Sequence, residues 1–165
     1  MSDLHVAVVE RREAMLDVAA ALDFVSDSRF GGIASFIGRV RDHNVGRVVT
    51  GISYDLFEPL ALRMFRAIGE RARAEVDVPL KLWIAHAKGD LAIGDLAVVV
   101  AAGTPHRDEA FRACRLAIEA VKHEAPIWKQ EHYLDGDSAW SEGCSLCEEQ
   151  REAERHDHAG HVHGH

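Results

Sequence analysis

The chain has 165 residues, about the length of one domain, and 47% of them are hydrophobic, enough to build a core and too many for a disordered or collagen-like chain. Nineteen Lys and Arg against 27 Asp and Glu give a net charge of −8. That balance argues against a coat on nucleic acid, whose affinity comes from neutralising phosphates, although a local basic cluster can still hold one small anion. The longest apolar run, Leu96 to Ala102, is far short of the roughly 20 residues of a membrane helix, so no membrane span is expected. Met1-Ser2-Asp3-Leu4-His5 lacks the basic and apolar stretches of a secretory signal. Three cysteines are an odd count, which argues against a disulfide framework and for a reducing cytoplasm.

From Arg11 to Leu22, the residues Met15, Val18, Ala19 and Leu22 recur at helical spacing and predict a short amphipathic helix. After a polar turn over Ser26 to Gly32, Ile33 to Arg41 reads as a strand with a basic end, and Val48 to Phe57 as a second extended segment. A hairpin between these two is one reading of the pair. Pro59 opens a helix whose apolar face is Leu60, Ala61, Met64, Phe65, Ile68 and Ala72, running to about Val76. Leu80, Leu82 and Ile84 alternate in a strand ending at His86, and Lys88-Gly89-Asp90 reads as a turn. Leu96 to Ala102 is a more deeply buried strand. Thr104 then reads as a helix cap, with Pro105 first and Asp108 and Glu109 in the opening turn. This helix buries Ala110, Ala113, Cys114, Ala117, Ile118 and Val121 and ends near Lys122-His123, before Pro126.

Residues 1–143 therefore read as one α+β or α/β domain. Residues 144–165 differ in character: Cys144 and Cys147 precede a charged run and five histidines, His156, His158, His161, His163 and His165. This segment reads as a flexible tail.

Four constellations carry chemistry. At Pro105-His106-Arg107 a strand runs into a helix, where unpaired backbone N–H groups and the helix dipole favour an anion such as phosphate. The plain alternative is an exposed His106 and an Arg107 paired with a surface carboxylate. In the second, Lys122 and Lys129 flank a bend. Burial or a neighbouring cation would make either lysine a proton donor, base or nucleophile; otherwise Lys122 simply closes a helix and Lys129 is a surface charge. Third, Arg39 and Arg41 share a strand face, either as an anion clamp or as a solvated edge. In the fourth, Cys144-x-x-Cys147 supplies two soft ligands that tail histidines could complete to a zinc site. Phosphate-loop, dinucleotide, zinc-protease and serine-hydrolase motifs are absent from the sequence.

In chain order, Gly32 to Asn44, Ser53-Tyr54-Asp55-Leu56-Phe57-Glu58, Gly89 to Asp95, Pro105 to Phe111, Lys122 to Glu131, Gly136 and Trp140 together resemble the large, catalytic subunit of molybdopterin synthase. The likeness spans about residues 30 to 140. It implies an α+β fold of α/β-hammerhead type, with a mixed or mainly antiparallel sheet, packed helices and a small β subdomain. It also implies a cytoplasmic sulfurtransferase that needs no cofactor. Sulfur would come from the Gly-Gly thiocarboxylate of a small ubiquitin-like subunit and pass to cyclic pyranopterin monophosphate, forming the molybdopterin dithiolene. The assembly would be a heterotetramer around a homodimer. By resemblance, Lys122 and Lys129 are catalytic, while Phe36, Arg41, His106 and Arg107 hold the phosphate and pterin. The chain departs from the pattern at His86-Ala87-Lys88, where many members carry His-Arg, and in the tail. The competing reading is a metal-handling protein that uses Cys144, Cys147 and the tail histidines, with zinc or nickel as the metal.

Overall fold

The computed structural model of the protein describes residues 3–142. The proposed metal ligands Cys144, Cys147, His156, His158, His161, His163 and His165, and the tail boundary at 143, lie outside these residues.

The chain opens with a strand that periodicity does not flag, β1 (Leu4–Glu10). Its valines are half-buried on both faces, so no alternation betrays it. Asp17 caps α1 (Val18–Phe24) by accepting the Ala20 N–H at 3.0 Å. This helix starts later than Arg11, and the expected apolar stripe is rotated. Met15 and Leu22 are exposed, whereas Leu16, Ala21 and Val25 are buried.

β2 (Gly32–Arg39), the two-residue β3 (His43–Asn44) and β4 (Arg47–Leu56) follow. The hairpin expected between the segments at 33–41 and 48–57 does not form. A two-residue turn at Val45 and Gly46, both at positive φ, closes β3 onto β4 instead. A bulge at Gly38/Arg39 ends β2, which pairs elsewhere.

α2 (Glu58–Val76) has Pro59 in its first turn and buries Ala61, Phe65, Ile68, Ala72 and Val76 at the predicted spacing. β5 (Lys81–Ala92) runs on through Lys88-Gly89-Asp90, which sequence reads as a turn. Gly89 takes φ of +98° and bends the strand without reversing it; the reversal comes at Gly94. β6 (Leu96–Thr104) extends two residues past Ala102 because Thr104 still pairs with Gly32. Thr104 is therefore not the helix cap. Its buried hydroxyl donates to the His106 carbonyl at 2.6 Å, and His106 is the N-cap of α3 (Arg107–Glu124). The helix ends before Pro126 as expected, and the bend is confined to Ala125-Pro126, after which β7 (Ile127–Tyr133) and β8 (Ser138–Glu142) begin.

The strands run in the order β2-β6-β5-β4-β7-β8, with β3 beside β4 and β1 beside β5. Every ladder is antiparallel except β1–β5, so this is a mixed α+β fold. β5 joins two halves. Its residues 81–86 pair with β6, and residues 89–92 pair with β4. The β3-β4-β7-β8 half is the small β unit; α2 and α3 pack on each other beside the larger half. Phe65, Ile68, Leu82, Ile84, Val98, Val100 and Val121 are fully buried between helices and sheet.

Candidate active site

Where the two halves meet, the last turn of α3 overhangs the end of β2 and the inner faces of β4 and β7. A cavity of about 420 Å³ opens there, lined among others by Phe36, Arg41, Tyr54, Lys122, Lys129 and Glu131. Four of the six site residues that the family resemblance implies, Phe36, Arg41, Lys122 and Lys129, thus converge.

Lys129 reaches the cavity because β7 alternates. Ile127, Lys129 and Glu131 turn inward and are buried, while Trp128 faces out. The Lys129 ammonium lies 2.9 Å from Glu131 Oε1. Asn44 Nδ2 donates to both Glu131 oxygens at 2.9 and 3.1 Å, and the Tyr133 hydroxyl donates to Oε2 at 2.7 Å. Burial alone would push the Glu131 carboxyl up; the bonds from Tyr133, Asn44 and Lys129 outweigh it and hold the group below its ordinary range. The result is a fixed, fully paired buried ion pair, the arrangement that burying charge requires. Asn44, Glu131 and Tyr133 had no assigned role from sequence. Alternation along β7 signals that Glu131 shares a face with Lys129, but nothing local signals that the β3–β4 hairpin delivers Asn44.

Lys122 sits half-buried in the final turn of α3, where a cation complements the helix dipole. Arg39 and Arg41 both line the cavity, although the bulge places Arg41 beyond the β2 ladder. The Arg39 Nε donates to the Gly94 carbonyl at 3.2 Å. A side chain at Gly38 would press on Val98 Cγ1 at 2.6 Å, so glycine keeps this floor open.

His106 and Arg107 are not in this cavity. They are exposed at the opposite end of α3, roughly 22 Å away at 1.5 Å per residue. The Gly31 N–H donates to the Pro105 carbonyl, and a Cβ on Gly32 would strike the Arg107 backbone, so this corner is tied to the start of β2. A second depression of about 790 Å³ runs between β2 and α3 and shares Phe36 and Lys122 with the first. Cys114 lines it, but burial pushes its thiol up to about 11, against a smaller opposing pull from the Phe36 backbone; it is not a thiolate nucleophile.

Ser53, Asp90 and His132 meet on β4, β5 and β7 in the wrong order for a hydrolase triad. The Ser53 hydroxyl donates to Asp90 at 2.5 Å, so the contact with His132 Nε2 at 2.8 Å leaves the ring as donor and not as base. Among the described residues, no group of three or more His, Cys, Asp and Glu is placed to hold a metal.

A profile of the MoaE protein family matches residues 11–124, more than half of the chain. The chain belongs to the MoaE protein family. The molybdopterin synthase catalytic subunit of Synechococcus elongatus is 44% identical over 152 residues, covering 92% of each chain. Catalytic subunit 1 of Mycobacterium tuberculosis is 44% identical over 121 residues, or 73% of this chain and 82% of the relative. Among solved structures, molybdopterin synthase from Staphylococcus aureus superposes with a TM-score of 0.75 at 28% identity, covering 86% of this chain and 98% of that one. A complex of subunits 1 and 2 of molybdopterin-converting factor from Helicobacter pylori shares the fold, with a TM-score of 0.64 at 24% identity over 85% of this chain and 90% of that one. This MoaE protein is accordingly an enzyme of the molybdopterin synthase catalytic-subunit type, which transfers sulfur in molybdopterin synthesis.

Proposed function

We propose that the cavity under the last turn of α3 is where a thiocarboxylate at the C-terminal Gly-Gly of a small ubiquitin-like carrier meets cyclic pyranopterin monophosphate. The single observation that carries this reading is the convergence of Lys122 and Lys129, from a helix end and a strand, with Arg41 and Phe36 in one cavity. Both reactants are anionic, so a basic, partly enclosed pocket draws them together. Each transfer forms a C–S bond on the pterin side chain as a C–O bond there breaks, the oxygen leaving as water or with the opened phosphate. Hydrolysis of the thioester so formed breaks the carrier's acyl C–S bond and releases the carrier as carboxylate.

The roles of the two lysines follow from their surroundings. Lys129 is committed to Glu131 and acts as a fixed positive charge beside the developing anion. Lys122, at the mouth shared by both depressions, exchanges the proton when oxygen departs and the cyclic phosphate opens. Arg41 binds phosphate and Phe36 packs against the pterin. The reaction so written needs no metal and no cofactor. We place it in the cytoplasm, on the odd cysteine count and the expectation of a reducing compartment.

His106 and Arg107 join the phosphate site in this reading through a second copy of the chain. β2 is an edge strand with Ile33, Phe36 and Ile37 exposed on it. A two-fold contact along β2 sets the start of one copy's strand, which carries the His106-Arg107 corner, beside the end of the other's. The assembly is then a heterotetramer of two such chains and two carriers. The test is reconstitution: the chain mixed with thiocarboxylated carrier and precursor is expected to yield dithiolene. No product from that mixture, with both components shown intact, overturns the reading.

A further inference from the structure

The sheet under the end of α3 carries a row of residues. Gly38 of β2 pairs with Val98 of β6, which pairs with His86 of β5. Directly opposed residues point to one face, so Gly38, which lines the cavity, shares its face with His86. His86 is fully buried. β6 and β1 set only Val98 and Val8 beside it in the ladders. The titratable groups that face it are Tyr54 of β4 and Lys122 of α3. The Tyr54 ring meets the imidazole edge-on with centroids 4.9 Å apart, and the Lys122 charge acts on it. Lys129 is the register partner of Tyr54 on β7, with Glu131 two residues on.

The hydrogen bonds assign the tautomer. His86 Nδ1 lies 2.7 Å from the Ala87 carbonyl oxygen, which can only accept, so Nδ1 carries the hydrogen. In the neutral ring Nε2 is then a bare lone pair, and it has no hydrogen-bond partner among the described residues. An unpaired buried acceptor costs free energy that a leucine or phenylalanine of similar size would avoid. That cost is borne where the charge of Lys122 acts on the ring.

We infer that His86 is a positioning residue for Lys122: a neutral imidazole whose unpaired, buried Nε2 lone pair lies within reach of the lysine's charge and favours its ammonium form. This rests on the assignment of Lys122 to the reacting centre. Burial, reinforced by the Lys122 charge and only partly offset by the Ala87 bond, holds the imidazole down to about 3. The ring therefore adds no second cation at working pH.

The test uses the reconstituted synthase. His86→Phe keeps an aromatic ring against Tyr54 and removes the lone pair; His86→Gln restores an acceptor. For His86→Phe, turnover is expected to fall about tenfold with KM for the carrier unchanged. The limb of the pH–rate profile that belongs to Lys122 moves to lower pH, because an ammonium deprived of an acceptor gives up its proton more readily. His86→Gln regains most of both. A folded His86→Phe with wild-type turnover, or with lower turnover and an unmoved limb, overturns the inference. Ring nitrogen-15 NMR on the wild-type assembly is an independent check, needed if His86→Phe does not fold. It should show Nδ1–H with unprotonated Nε2 from about pH 5 to about pH 9; the opposite tautomer or a doubly protonated ring overturns the inference. Full activity of Lys122→Ala would sink the assignment of Lys122 itself, a separate failure that leaves the tautomer result standing.

Discussion

Lys129 and Glu131, two residues apart on the inner face of β7, hold each other at 2.9 Å with side-chain exposures of 5% and 6%. Removing one partner of such a pair leaves an uncompensated charge in the interior. Glu131→Ala is expected to cost about 3–5 kcal/mol in urea unfolding and to abolish sulfur transfer. Glu131→Gln preserves shape and most of the hydrogen-bonding capacity toward Asn44 and Tyr133, and should cost clearly less. Equal losses for the two substitutions would show that the charge on Glu131 alone, and not its shape or its bonds to Asn44 and Tyr133, carries the effect.

Lys122 presents the opposite case, a half-buried side chain in a last helical turn whose replacement disturbs little packing. Lys122→Ala should lower dithiolene formation by about a hundredfold or more while stability changes by no more than about 1 kcal/mol. Parallel calorimetric titration with the carrier is expected to give near wild-type affinity. A variant that transfers sulfur normally would remove Lys122 from the chemistry.

Stability should depend on pH through His86. Its folded pKa, about 3, lies below the ordinary 6.5, so between these values the unfolded chain binds a proton that the native chain refuses. The stability of the native state therefore falls as pH drops from about 6.5 toward 3, by up to ~1.4 kcal/mol per unit from this group. His5, lowered by burial, adds to the same trend, whereas Glu131 and Asp95 contribute only in the carboxylate range below it. Urea midpoints measured across this window should flatten in His86→Phe.

Gly103 lies against the chain as it leaves α1. A Cβ there would collide with the Val25 carbonyl oxygen, a backbone atom that cannot swing away, and would crowd Phe30 Cδ2 at 3.0 Å. Gly103→Ala should destabilise the fold by about 3 kcal/mol, seen as a lowered Tm without any change at the lysine cavity. A neutral substitution would mean that α1 packs less closely on β6 than described.

Deleting residues 143–165 removes Cys144, Cys147 and the five tail histidines together. Sulfur transfer by the shortened chain is expected to match the full chain, because every described residue that lines the cavity precedes the cut. Loss of transfer by the shortened chain, together with zinc-dependent transfer by the full chain, would return the metal-handling reading to contention.

Some of this architecture is legible along the chain because it repeats locally. α2 shows its buried face at helical spacing, and β6 shows as an unbroken apolar run. The motifs around Arg41, His106, Lys122 and Lys129 are contiguous enough to carry the family resemblance. β1 is not legible, since its half-buried residues show no period. Nor is the end of the strand at β5, where Gly89 bends a ladder that composition reads as broken. Thr104 has every local mark of a cap, yet pairing with Gly32 pulls it into the sheet.

Residue identity determined what chemistry this chain can offer: lysines and arginines for anions and an aromatic ring for a flat ligand. Which of those groups act together is a long-range property, because β5 pairs with β6 along one half and with β4 along the other, and that division brings α3, β2 and β7 to one point. It also left His106 and Arg107 at the far end of α3, because a rigid 18-residue helix holds its two ends apart whatever chemistry they share.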